Sequence, residues 1–143
     1  MSDFSCFLKA NAITVENEKF VASKRFIDPK TKKPVEWEIK PIPTTLDESI
    51  RKECSKRVAI NSKRGQYTTE IDNDKYLGKL CAACTVYPNL NAVELQNDYD
   101  VKDADSLLKA MLTNGEYLEY KNKVLELNGY DISMEQKVDE AKN

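Results

Sequence analysis

The sequence predicts an α+β fold, with a small N-terminal antiparallel β-meander followed by a predominantly helical body of about four to five helices. Three observations carry this. Val35, Trp37 and Ile39 alternate with Glu36, Glu38 and Lys40, the period-two pattern of a half-buried strand. Tyr76, Leu77, Leu80, Cys81 and Cys84 form an amphipathic stripe at helical spacing. Thr113-Asn114-Gly115-Glu116 has the capping-box pattern that opens a helix.

Taken in order, Ala12 to Val15 is a β-prone run, and Glu16-Asn17-Glu18 suits a turn. Phe20 to Ile27 follows as a second strand. The segment from Asp28 to Pro34 is polar and bracketed by prolines, as turns are. The strand through Val35, Trp37 and Ile39 ends at Pro41 and Pro43. Thr45-Leu46-Asp47-Glu48 reads as a capping box, with Thr45 as the cap of a helix that packs Leu46, Ile50 and Cys54 inward and stops near Arg57. Residues 58–71 suit a loop or loose hairpin. A helix then starts at Asp72 to Asp74 and breaks before Pro88. Asn91-Ala92-Val93-Glu94 opens a short helix to about Tyr99. Leu107, Leu108, Met111 and Leu112 share a face of the next. The last helix places Tyr117, Leu118, Val124 and Leu125 inward and closes at Asn128-Gly129. Residues 1–130 thus read as one domain, and the low apolar content of 131–143 predicts a charged, flexible tail.

The composition narrows the chemistry. The 143 residues contain no histidine, which removes imidazole acid–base catalysis, Ser-His and Cys-His pairs, and zinc sites that use imidazole. With 4 glycines, a phosphate-cradling loop is not expected. Cys81-Ala82-Ala83-Cys84 has the spacing of a redox dithiol or half a zinc site. Both thiols fall on the apolar stripe in mid-helix, however, so the expectation is core packing. Asp72, Asp74, Asp100, Asp103 and Asp105 do not complete a calcium loop and read as helix-start carboxylates. The expectation is a chain without catalytic, metal or cofactor site. No apolar run is long enough for a signal peptide or a spanning helix, so a cytoplasmic location with reduced thiols is expected.

Two segments suit partner binding. Arg51, Lys52, Lys56, Arg57, Lys63 and Arg64 stand against Glu53 alone between positions 51 and 64. The simpler reading is a solvated helix and loop. The alternatives are a phosphate-tracking patch or a surface for an acidic partner or a neighbouring copy. Phe4, Phe7 and Leu8 make an apolar N-terminal stretch that either packs on its own core or docks on another chain. The net charge of −2 also hides a split. Residues 91–143 hold 12 acids and 6 bases, a balance of −6, while residues 1–90 hold 12 acids and 16 bases, a balance of +4. Two solvated faces explain this, as does head-to-tail association of copies.

An ordered series of blocks carries a family likeness. It begins with Phe7-Leu8-Lys9 and Asn11-Ala12, then Ser23-Lys24-Arg25-Phe26 and Trp37-Glu38-Ile39-Lys40. Ile50-Arg51-Lys52, Lys56-Arg57-Val58 and Lys63-Arg64-Gly65-Gln66-Tyr67-Thr68 follow. The strongest stretch runs from Asp74-Lys75-Tyr76-Leu77 to Cys84-Thr85-Val86-Tyr87-Pro88-Asn89-Leu90-Asn91. Glu94-Leu95-Gln96, Leu107-Leu108-Lys109, Met111-Leu112-Thr113, Gly115-Glu116-Tyr117 and Asn128-Gly129-Tyr130-Asp131 complete it. Over about residues 7–131 the chain resembles the XkdN-like tail assembly chaperones of contractile-tailed phages, prophages and phage-derived tail particles. The resemblance implies a protein that binds the tape measure protein, keeps it soluble during tail tube assembly and is absent from the finished tail. It also implies, for many members of the broad class, a longer form made by ribosomal frameshifting. The rival expectations are a structural tail component of tube or baseplate, and a small nucleic-acid-binding regulator.

Overall fold

In the computed structural model, which describes residues 4–60 and 65–130, two antiparallel sheets stand beside five helices. Strands β1 (Glu18–Phe20) and β2 (Trp37–Ile39) pair in the register Glu18↔Ile39, Lys19↔Glu38 and Phe20↔Trp37. Helix α1 (Thr44–Glu53) leads into a hairpin of β3 (Ser55–Ala59) and β4 (Tyr67–Ile71). Helix α2 (Asn73–Cys84) runs directly into β5 (Thr85–Tyr87), which pairs with β2 and gives the sheet order β1-β2-β5. Helices α3 (Val93–Asp98), α4 (Ala104–Met111) and α5 (Asn114–Leu127) complete the body.

The α+β class is as predicted, but several boundaries move. Ala12 to Val15 forms no strand, and Ile13 is 99% exposed. The first strand instead takes up Glu18, whose sequence context suits a turn. Its neighbour Asn17 donates to Glu38 Oε2 at 2.9 Å, and Glu18 itself pairs with Lys123 at 2.9 Å. The strand expected over Phe20 to Ile27 is cut to its first residue, because Ser23 and Ala22 turn into the core and Ile27 makes only an isolated bridge to Pro34. Pro43, not Thr45, caps α1, with its carbonyl accepting from Leu46 and Asp47, and no side-chain cap forms. Leu46 faces outward, while Ile50 and Cys54 are buried.

Helix α1 also ends at Glu53 rather than near Arg57. The buried Cys54 carbonyl accepts from Asp72 N at 2.8 Å, which pulls the chain out of helix and into the hairpin. Tyr67-Thr68-Thr69-Glu70-Ile71 is rich in β-branched and aromatic residues, so pairing satisfies both backbone and propensity. The tip of the hairpin, with Lys63 and Arg64, lies outside the described residues, as does the predicted tail 131–143.

The core sits between the three-stranded sheet and α2, α4 and α5. Trp37 and Ile39 from β2 meet Leu80, Cys81 and Cys84 of α2, Leu107, Leu108 and Met111 of α4, and Tyr120 and Val124 of α5. Trp37 packs edge-on to Tyr120 with ring centroids 5.6 Å apart, and the Phe20 ring lies tilted against Tyr120 at 5.5 Å. Tyr120, not among the inward residues expected for this helix, is the largest side chain α5 buries, while Tyr117, Leu118 and Leu125 are half-buried. Its hydroxyl bonds Thr85 Oγ1. That oxygen already donates its one proton to Cys81 O at 2.8 Å, so Tyr120 is the donor. This bond joins α5 to the junction of α2 and β5.

The capping box of α5 forms as expected. Glu116 N donates to Thr113 Oγ1 at 3.3 Å, and Thr113 N donates to Glu116 Oε1 at 2.9 Å. Arg25 adds a contact the sequence does not announce: its Nη2 reaches Glu116 Oε1 at 3.0 Å and Met111 O at 2.5 Å. The Arg25 guanidinium, and then the Thr113 amide, hold the Glu116 carboxyl at about 2, against an ordinary 4.5. A depressed folded-state value contributes stability that is present above the ordinary value and is lost as pH falls through the folded one. Urea unfolding should therefore show stability declining from about pH 4.5 towards pH 2. Glu116→Gln should flatten part of that decline; an unchanged pH profile contradicts the assignment.

Candidate functional site

The N-terminal arm settles one of the two open readings. Phe4 and Leu8 flank a single 3-10 turn (Ser5–Phe7), held by Phe7 N to Phe4 O at 2.9 Å and Leu8 N to Ser5 O at 3.1 Å. Asn11 Nδ2 closes back onto Ser5 O at 2.7 Å. Phe4, Phe7 and Leu8 are spaced like one face of a helix turn. Phe4 is 70% exposed and Phe7 81%, and Leu8, Ile13 and Val15 are exposed as well. The arm therefore does not pack on its own core.

The basic segment divides into two parts with different duties. Arg51 is engaged within the fold: Nε donates to Asp47 Oδ2 at 2.9 Å, and the guanidinium lies 4.3 Å from the centre of the Tyr76 ring. Tyr76 OH donates to the other Asp47 oxygen. Burial works against the Asp47 charge, but the hydrogen bonds from Tyr76 and Arg51 outweigh it and hold that carboxyl below the usual range. Burial and the same carboxylate push the Tyr76 phenol up. This cluster ties α1 to α2. Lys52, Lys56 and Arg57, by contrast, are exposed. Arg57 stacks 4.5 Å over the ring of Tyr67, its diagonal neighbour across the hairpin.

A third surface had no sequence signal beyond two acids at helical spacing. Ala92, Glu94, Leu95, Asn97 and Asp98 line an open groove of about 580 Å³ along α3. Val93 beside it is 68% exposed.

The Cys81–Cys84 pair lies in the core. Both thiols are buried, as is Cys54, and Cys6 is exposed. Burial pushes the Cys81 thiol up to about 12 and raises Cys54 and Cys84 as well, with Asn128 Nδ2 at 3.4 Å from Cys84 Sγ. Among the described residues, no group of three His, Cys, Asp or Glu is placed to hold a metal ion. A thiol-reactive probe on native protein at neutral pH should label Cys6 at once and the three buried thiols only on unfolding. Fast labelling of Cys81 or Cys84 in the native state contradicts their core role. No helix among the described residues is long and apolar enough to cross a membrane.

Fold and surface define a class first: a small α+β domain whose apolar arm and basic hairpin both stand outside the core. The chain belongs to the phage XkdN-like tail assembly chaperone family, whose model matches residues 4–142. It is 32% identical over 142 residues to the uncharacterized protein YqbN of Bacillus subtilis (strain 168), covering 99% of this chain and 93% of that one. It is 30% identical over 142 residues to XkdN, a protein of the phage-like element PBSX in the same organism, covering 99% of this chain and 94% of the relative. A crystal structure of YqbN matches with a TM-score of 0.76 at 29% identity, over 92% of this chain and 99% of the other.

Proposed function

We propose that this tail assembly chaperone acts without catalysis in the host cytoplasm, binding the tape measure protein and keeping it soluble until the tail tube encloses it. The observation that carries this reading is the N-terminal arm, which presents Phe4, Phe7 and Leu8 to solvent instead of to its own core. Exposed apolar side chains in such a concentration mark a surface that another protein covers. A long helical client offers apolar stripes at the same spacing, the logic of amphipathic-helix recognition. Lys52, Lys56 and Arg57 are solvent-facing charges that can steer an acidic client or neighbour.

Co-expression tests the proposal. The tape measure protein should be less soluble when expressed alone than with this chain, with which it should co-purify, and mature tails should lack the chain. A tape measure protein that stays insoluble, or finding this chain in purified tails, would overturn it.

A further inference from the structure

We propose that the cleft where α2, α4 and α5 meet is an anion site, taking the carboxylate of a glutamate or aspartate side chain presented by the client; the identity of that client rests on the function proposed above. The cleft holds about 260 Å³ and is lined by Asp74 and Leu77 of α2, Lys109 of α4, and Asn114, Tyr117 and Lys121 of α5. A methyl group placed on Gly78 would lie 2.9 Å from Lys109 Cε, 3.0 Å from its Nζ and 3.5 Å from the Tyr117 hydroxyl. Ammonium and phenol therefore converge on one point over α2, which a side chain at position 78 would occupy. Glycine inside a helix is destabilising relative to alanine, and here the missing side chain is what admits the lysine. Lys121 joins them, its ammonium 4.9 Å from the centre of the Tyr117 ring.

These donors are unspent. Among the described residues, no carboxylate pairs with Lys109 or Lys121, and the Tyr117 hydroxyl has no hydrogen-bond partner. Asp105, one helical turn before Lys109, is engaged instead by Lys79 at 3.8 Å. Burial pushes the Tyr117 phenol up, so at neutral pH the hydroxyl keeps its proton and can donate it to an anion. Two ammoniums against the single carboxylate of Asp74 leave the cleft one positive charge, the match for a monoanion. Asp74 also works against a dianionic phosphate by like-charge repulsion. The volume falls below the roughly 300–1,000 Å³ of small-molecule sites, so it suits an inserted side chain, and Leu77 offers an apolar wall to that side chain's methylene stem.

Amide NMR on the isotope-labelled full-length protein at low salt provides the test. The probe is N-acetyl-glutamate amide, with N-acetyl-glutamine amide as its neutral isostere and inorganic phosphate as the competing anion. The probe should shift the amides of Gly78 and of Asn114 to Tyr117 and saturate in the millimolar range, while the isostere should not bind. Lys109→Gln should weaken the probe about tenfold, the size of one lost charge-assisted hydrogen bond, and Tyr117→Phe should weaken it several-fold. Gly78→Ala keeps the net charge but pushes Lys109 aside, so it should also weaken the probe several-fold without lowering the melting temperature. In co-expression, Lys109→Gln with Lys121→Gln should cut the co-purified client about tenfold. A probe that does not saturate, an isostere that binds equally, phosphate that binds more tightly, or binding unchanged in Lys109→Gln and Gly78→Ala would overturn the site. A double variant that loses the probe yet retains the client in full would overturn the client as the source of the carboxylate. A parent chain that saturates with the probe yet captures no client would overturn the function proposed above, and with it that source, while leaving the chemistry of the cleft in place.

Discussion

Trp37→Ala should cost about 3–5 kcal/mol of stability, the range for removing a large buried aromatic. That is a large part of the total for a domain whose whole margin is about 5–15 kcal/mol. The physical reason is position as well as size. Trp37 is 1% exposed and opens β2, the middle strand of the sheet, opposite Phe20 of β1. It contacts Tyr120 edge-on, and Phe26 lies with its ring centroid 6.2 Å away. Truncation leaves a cavity where sheet and α5 meet, flanked by strands of three residues each. Urea unfolding followed by far-UV circular dichroism measures this. Ile13→Ser, at a fully exposed position, should change stability by less than about 0.5 kcal/mol in the same assay. A loss below about 1 kcal/mol at Trp37 would mean that the sheet and α5 are not held through this residue.

The second large effect is functional and should leave the fold untouched. Replacing Phe4, Phe7 and Leu8 together with serine should weaken tape measure binding more than tenfold and return that client to the insoluble fraction. Each apolar side chain buried in a complex contributes about 1.5–3 kcal/mol before ordering costs are subtracted, so three together far exceed a tenfold change. Phe4, Phe7 and Leu8 are all exposed in the chain itself, so the thermal unfolding of the variant should match the parent protein. A triple variant that still solubilises the client would move the binding surface elsewhere on the molecule. A triple variant that unfolds early would show that the arm belongs to the core after all.

How much of this was legible depends on the range of the interaction involved. The α2 stripe, with Tyr76, Leu80, Cys81 and Cys84 buried, follows from spacing alone. The same is true of Leu107, Leu108, Met111 and Leu112, and of the reciprocal bonds of Thr113 and Glu116. These features rest on residues three or four apart, and local periodicity reports such neighbours directly. The exposed positions of Phe4, Phe7 and Leu8 were half legible: their composition marks them as unusual for a terminus, but only the fold shows that the core has no place for them.

The strands depend on partners distant in the chain. β5 is three residues directly after a helix, and nothing local distinguishes it from a helix end. It is a strand because β2 lies alongside to pair with it, and β2 is more than 40 positions earlier in the sequence. Ala12 to Val15 is the converse, a β-prone run with no partner and hence no strand. The continuation of α1 through Arg57 failed for a related reason: Cys54 is anchored to Asp72, and the ladder with Tyr67–Ile71 offered the backbone better pairing than another helical turn.

The sequence by itself therefore determined the α+β class, the helical body, the buried thiols and the family resemblance, because these depend on composition, on short-range spacing and on an ordered series of motifs. Only the tertiary structure decided which segments became strands, that Tyr120 anchors α5, that Arg51 serves the fold while Arg57 faces solvent, and that α3 offers an acidic groove. Each of those is a choice between partners far apart in the chain. Such a choice is made by which groups the packed body leaves paired or exposed.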